Sequence, residues 1–241
     1  MCSSDLGEAV VEEKRIEEMD VVFLMDRFGY AKTVDVSVYE RNKEAADTEN
    51  RYILTCKNTD KICIFTNKGQ MHLLKVLDLP YGKFRDKGIP IDNLSNYNSS
   101  EENFIYIINL GAIIHSRLLF GTKTAMLKMV DGSEFDVAKR TTASTKLNED
   151  DELLIVHAMT GEETVVMQSE KEMFLRIEAS TIPEKKKGAV GVRGMKLNAG
   201  DALSHIYVLD GESEQTVEVK GKEVVLNRLR VGNRDTKGTK R

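Results

Sequence analysis

Residues Thr164–Ile177 read TVVMQSEKEMFLRI, two apolar runs on either side of a polar break. Apolar residues at period two send alternate side chains to opposite faces of an extended chain, and the polar break supplies a turn. The stretch therefore predicts a β-hairpin. The same pattern recurs as VVFLMDRFGYAKTV from Val21, ICIFTNKGQMHLLKV from Ile62, TAMLKMVDGSEFDV from Thr124 and TVEVKGKEVVLNRL from Thr216. NKG at 67–69 and VDG at 130–132 are expected to supply the positive-φ positions of their turns.

A second segment, an acidic turn followed by one apolar strand, repeats between the hairpins. It reads NSSEENFIYIINL from Asn98, NEDDELLIVHAM from Asn148 and NAGDALSHIYVL from Asn198, starts that lie 50 residues apart twice over. TENRYILTCK from Thr48 is a shorter first copy. A unit of ~40–55 residues with three or four strands has the size of a propeller blade. Such a blade cannot bury both faces alone, so successive blades must stack. Helical patterns are nearly absent. The expectation is an all-β, propeller-like array of about five blades of mostly four strands, the last truncated. Its blades fall near 20–59, 60–115, 116–161, 162–210 and 211–241, after a tail or linker over 1–19.

The 241 residues are long enough for one such domain. The net charge of −4 hides a segregation of sign. Residues 1–20 hold seven acids against two bases, and residues 228–241 hold six bases against one acid. Three cysteines form no C-x-x-C pair, no run of eighteen apolar residues exists, and the N-terminus is acidic where a signal peptide is basic. A soluble cytoplasmic protein is expected.

The stretches DVVFLMDRFGYAKTVD, DKICIFTNKGQMHLLKV, EETVVMQSEKEMFLRI and KKKGAVGVRGMKLNAGDAL resemble the C-terminal domain of the bacterial type IIA topoisomerase A subunit, of the gyrase or topoisomerase IV kind. The resemblance covers about residues 20–241, including the closing RVGNRDTKGTKR. It implies a β-pinwheel, whose blades exchange strands and whose rim binds and bends duplex DNA for a cleavage core. It also implies as partners the rest of the A subunit together with the B subunit, nucleoid association and no membrane. ATP and Mg would belong to the partner subunit, with no cofactor or metal in this domain.

Two departures are visible. Gyrase A subunits carry a Gln-basic-basic-Gly-Gly-basic-Gly box in the first blade, whereas this chain reads DVSVYERNKEAADTENRY after Val34. That favours a topoisomerase IV-like or weakly wrapping form. None of the seven tyrosines lies in the family's cleavage motif, so no catalytic residue is expected here.

One basic loop recurs between hairpin and acidic-turn strand. It holds Lys83, Arg85 and Lys87 in the second repeat, and Lys139, Arg140 and Lys146 in the third. In the fourth it holds Lys185, Lys186, Lys187, Arg193 and Lys196. Gly188, Gly191 and Gly194 are spaced by three with no helical pattern after them, which fits neither a dinucleotide fingerprint nor a P-loop. Loops at one repeated position form a positive stripe that gains affinity for duplex DNA by counterion release, with the glycines letting backbone N–H groups approach phosphates. Arg27, Lys32, Arg228 and Arg230, in or beside the first and last hairpins, either extend the stripe or staple the last blade to the first. A propeller that docks a protein and never meets DNA is the alternative, carried by the acidic total and the acidic turns. His72, His157 and His205 read as strand residues rather than ligands, and Cys56 and Cys63 as small buried hydrophobes. Asp150, Asp151 and Asp201 read as turn residues.

Overall fold

The computed structural model describes residues 15–241; the first fourteen residues of the expected 1–19 tail lie outside that range. Period-two apolar patterning gives five antiparallel hairpins: Asp20–Asp26 with Tyr30–Asp35, Lys61–Thr66 with Gln70–Lys75, Arg117–Thr122 with Met126–Asp131, Thr164–Ser169 with Met173–Glu178, and Thr216–Val219 with Lys222–Val225. In the first four blades the acidic-turn segment adds a third strand beside the first hairpin strand. These third strands are Asn50–Lys57, Phe104–Asn109, Leu153–Met159 and Leu203–Leu209.

The remaining strand of each sheet comes from the next repeat. Ile89–Pro90 pairs with the second hairpin strand of blade 1, Thr141–Ala143 with that of blade 2, Val192–Arg193 with that of blade 3 and Thr239–Lys240 with that of blade 4. Tyr81–Gly82 adds a parallel pair to blade 1. The fold is thus the expected β-pinwheel. The sequence pattern alone had put each basic loop in its own blade; it is stitched into the preceding one instead. Among the described residues, blade 5 is a two-stranded hairpin.

Hydrophobic cores lie between blades, because each sheet buries both faces. Phe65 of blade 2 meets Phe120 of blade 3 edge-on at 6.0 Å and Phe135 at 5.1 Å, all fully buried. Such pairs add ~0.5–1.5 kcal/mol beyond the area they bury. Similar clusters join blades 1 and 2, 3 and 4, and 4 and 5. Cys56 and Cys63 are buried in them, and burial pushes their thiols up to about 11 and about 12.

Two expectations need correction. The third hairpin is not centred on VDG at 130–132: Met126–Asp131 is its second strand, and the turn is Lys123–Ala125, with Ala125 at φ 65°. Gly132 instead opens a 3-10 turn, and a Cβ there would lie 1.8 Å from the Ile113 carbonyl oxygen, so glycine serves close packing. Helical structure is also present where none was read. Val36–Arg41 and Lys43–Glu49 are short helices, the first capped by Asp35, whose side chain accepts from Ser37 N. The helices occupy the loop's place in the chain, and with Phe84 they cover Val22, Leu24 and Val34 on the outer face.

Candidate nucleic-acid interface

The four donated segments occupy one position on four sheets. In each, an N–H at the segment's end donates to the carbonyl of the positive-φ residue in the receiving hairpin's turn. The pairs are Ile91 to Gly29 (2.9 Å), Ser144 to Gly69 (2.8 Å), Gly194 to Ala125 (2.7 Å) and Arg241 to Glu172 (3.1 Å). Gly88, Gly191 and Gly238 press on the receiving backbone, where a Cβ would sit 2.5–2.7 Å from the nearest carbonyl oxygens of Ala31, Leu127 and Phe174. The glycine spacing of the fourth loop is therefore a packing device. The N–H of Gly194 is used internally, and a Cβ at Gly194 would collide with the Leu127 and Met167 side chains.

A lysine in the receiving strand fastens two of these loops. Lys32 Nζ donates to the carbonyls of Phe84 (2.5 Å) and Asp86 (3.0 Å). Lys128 Nζ donates to those of Lys186 (3.1 Å), Lys187 (3.0 Å) and Ala189 (2.6 Å). Lys128 is 1% exposed, and burial pushes its ammonium down to about 8, although Glu134 partly counters this. In blade 4, Arg176 Nη1 donates to the carbonyls of Asn227 (2.5 Å) and Leu229 (3.2 Å). In blade 2 the corresponding strand carries His72, which is buried. Its Nε2 lies 2.6 Å from Glu102 and its Nδ1 2.9 Å from Thr141 of the donated strand. Lys128 and Arg176 were not read from the sequence, although a cation inside the apolar strands AMLKMV and MFLRI is the signal that marks them.

The predicted cations divide into committed and free. Lys32 is a loop fastener. Lys187 Nζ donates to the Glu134 carbonyl (3.0 Å) and to Thr142 Oγ1 (3.3 Å), and so ties the fourth loop to the third. Arg193 grips Asp235 with two nitrogens and holds that carboxyl below its usual range. Lys186 faces Glu134 at 3.6 Å, Arg228 faces Glu214 at 3.3 Å, and Arg140 reaches the Leu94 carbonyl at 3.4 Å. Lys87 lies over the Tyr30 ring and Arg27 over the Phe28 ring. Among the described residues, the side-chain charges of Lys83, Arg85, Lys139, Lys146, Lys185, Lys196 and Arg230 have no hydrogen-bond or ion-pair partner; all but half-buried Lys185 are exposed. Each of the second, third and fourth loops thus offers at least two uncommitted cations. The tail adds Arg230 and Lys237, and it occupies the same position on blade 4.

The acidic turns act within the structure. Asp151 accepts from Thr124 N (3.0 Å) and Oγ1 (2.6 Å), and Asp201 from Lys171 N (3.2 Å), so each braces its own blade's hairpin turn. Glu152 binds Lys68 at 3.1 Å and Lys123 at 2.6 Å, which lowers its pKa. No staple joins the first and last blades: among the described residues, no ion pair, hydrogen bond or hydrophobic cluster links 211–241 to 20–57. No helix of the described residues is long and apolar enough to cross a membrane.

Residues 116–158 and 163–210, blades 3 and 4, match the family described as DNA gyrase C-terminal domain, beta-propeller. The DNA gyrase A subunit of Staphylococcus epidermidis is 29% identical over 97% of this chain, and that of Lawsonia intracellularis 28% over 94%. The chain spans 28% and 30% of those two relatives' lengths. Among solved structures, the C-terminal domain of a DNA topoisomerase IV superposes with TM-score 0.82 at 22% identity, covering 93% of this chain and 73% of that one. The ParC C-terminal domain of E. coli gives 0.72 at 15% identity, covering 92% and 94%, and a DNA gyrase A C-terminal domain gives 0.61 at 17%, covering 92% and 76%. The chain is therefore a β-pinwheel with the fold of the gyrase A and topoisomerase IV C-terminal domains, and its third and fourth blades match the model of the DNA gyrase C-terminal domain family.

Proposed function

We propose that this domain binds and bends duplex DNA along the line of its donated loops and presents it to the cleavage core of a type IIA topoisomerase. The observation that carries this reading is the recurrence of one loop at one position on successive blades, each copy with two or more uncommitted cations. Duplex DNA has a charge every ~1.7 Å along its axis, and a row of lysines and arginines gains affinity by releasing its counterions. Contacts of this kind position the duplex without reading bases, and curvature of the row sets the bend. The proposed partners are the rest of the A subunit together with a B subunit; ATP and Mg act on the B subunit rather than here.

The wrap is proposed to be weak. Where a gyrase-type box would lie in the first blade, this chain has two helices carrying Glu40, Glu44, Asp47 and Glu49 against Arg41 and Lys43. That segment repels a phosphate backbone. Binding of a 40-bp duplex measured against salt tests the DNA reading, and relaxation of a DNA circle by a nicking-closing enzyme in the presence of the domain tests the wrap. Strong trapping of handed supercoils would contradict the weak-wrap reading.

A further inference from the structure

The first hairpin turn carries the most exposed of the large apolar side chains among the described residues. Phe28 is 70% exposed, at the apex of the turn Asp26–Gly29. The turn does not require an aromatic residue. The equivalent turns are Thr66–Gly69, Thr122–Ala125 and Ser169–Glu172, each closed by an N–H of the positive-φ residue to the carbonyl three positions earlier. They carry Lys68, Thr124 and Lys171 where blade 1 has Phe28. A lone exposed ring is common on protein surfaces, so only its surroundings can mark this one for a ligand.

The surroundings indicate which ligand. The Arg27 guanidinium lies 4.7 Å from the Phe28 ring centre, and the Lys87 ammonium 5.3 Å from the ring of Tyr30, two residues along. Lys83 and Arg85 follow on the same donated loop, which pairs with the strand that begins at Tyr30. The nearby carboxylates are partly committed: Asp26 accepts from Phe28 N (2.8 Å) and Tyr30 N (3.0 Å), and Asp86 accepts from Lys83 N (2.8 Å). Glu49 also lines the shallow depression beside Phe28. An apolar ring with Arg27 over it and further cations on the adjoining loop suits a polyanion with a stackable interior. A greasy protein surface would leave Arg27 and Lys87 desolvated and unpaired.

We propose that Phe28 is a wedge that enters a base step of duplex DNA and fixes a kink at the first blade, with Arg27 and Lys87 on the flanking phosphates. This rests on the DNA reading above. Apolar side chains that partly unstack a step let DNA bend more sharply and touch more protein, and pyrimidine–purine steps yield most easily. The wedge supplies at blade 1 a bend that the acidic helices there cannot supply by charge.

The test uses a 40-bp duplex with 2-aminopurine at its central TpA steps and a donor–acceptor dye pair at its ends. Binding is expected to raise 2-aminopurine fluorescence about two- to fivefold and to shorten the end-to-end distance. Phe28→Thr, which copies blade 3, is expected to fold normally and to abolish the fluorescence rise. It should weaken binding roughly three- to tenfold and leave the salt slope unchanged. Phe28→Trp is expected to keep the rise. Binding by the parent chain with no rise, or an unchanged rise in Phe28→Thr, overturns the wedge and leaves the DNA reading standing. Absence of any duplex binding in a gel shift at low salt overturns the DNA reading, and the wedge with it. Loss of binding to the remaining topoisomerase subunit, with DNA signals unaltered, assigns Phe28 to a protein contact and overturns the wedge.

Discussion

Lys128 Nζ lies 2.6 Å from the carbonyl oxygen of Ala189, so a buried ammonium in blade 3 holds the fourth loop from beneath. The carbonyls of Lys186 and Lys187 complete the grip, and Lys32 repeats it on the loop of the second repeat. Charge-assisted hydrogen bonds of this kind are stronger than neutral ones, and they are needed where the loop's own side chains point outward.

Replacing Lys128 by Met keeps the volume and removes the donor. Loss of the three hydrogen bonds that Lys128 donates is expected to destabilise the domain by about 2–4 kcal/mol. Urea unfolding measures this; an unchanged midpoint contradicts the clamp.

The same lysine sets a pH dependence. Its folded pKa of about 8 lies below the ordinary 10.5. Between those values the unfolded lysine keeps its proton and the folded one gives it up. Unfolding then binds protons, and stability rises with pH. The parent chain is expected to gain on Lys128→Met by up to about 3 kcal/mol between pH 8 and 10.5, and the gain is judged on that difference. The two thiols work in the opposite sense. Their raised folded values mean stability is fully present below pH 9 and falls as pH climbs toward 11 and 12. A difference that stays flat with pH contradicts the assignment.

Phe65→Ala removes a ring shared by two blades and is expected to cost about 3–5 kcal/mol. Because each core is shared between neighbours, blades 2 and 3 should lose their structure together. Hydrogen exchange that reports one of them opening alone would contradict this.

Much of this was legible in the sequence, because apolar alternation is a consequence of burial on both faces of a sheet. The hairpin from Val21 and the one from Thr164 read directly as strands. The third hairpin was misplaced because its turn hides positive φ in Ala125, which carries no turn signature, while Gly132 nearby looks like a turn and is a packing glycine. The helices over 36–49 are too short for a clear 3.6-residue period; Asp35 was their only strong sign. The basic loops were visible as charge. Which cations are free was not, because Arg193 meets Asp235 and Lys187 meets Glu134 and Thr142 only through strand exchange.

That division has a consequence for mutants. Lys83→Ala with Arg85→Ala and Lys196→Ala is expected to leave the melting temperature unchanged and to make the salt slope shallower by about 0.9 for each phosphate no longer neutralised. Lys185, Lys186, Lys187 and Arg193 changed together should weaken binding to all sequences alike and also lower the melting temperature, since three of the four are committed internally. Paired melting and titration curves separate the sets. Equal melting temperatures for both would contradict the division.

The most direct test of the central claim is the affinity of the chain for a 40-bp duplex between 50 and 200 mM salt. With about six to eight phosphates neutralised, log K is expected to fall with log[salt] at a slope near −5 to −7, with little dependence on sequence. An affinity that does not change with salt, or no binding at the lowest salt, would contradict a DNA-binding rim.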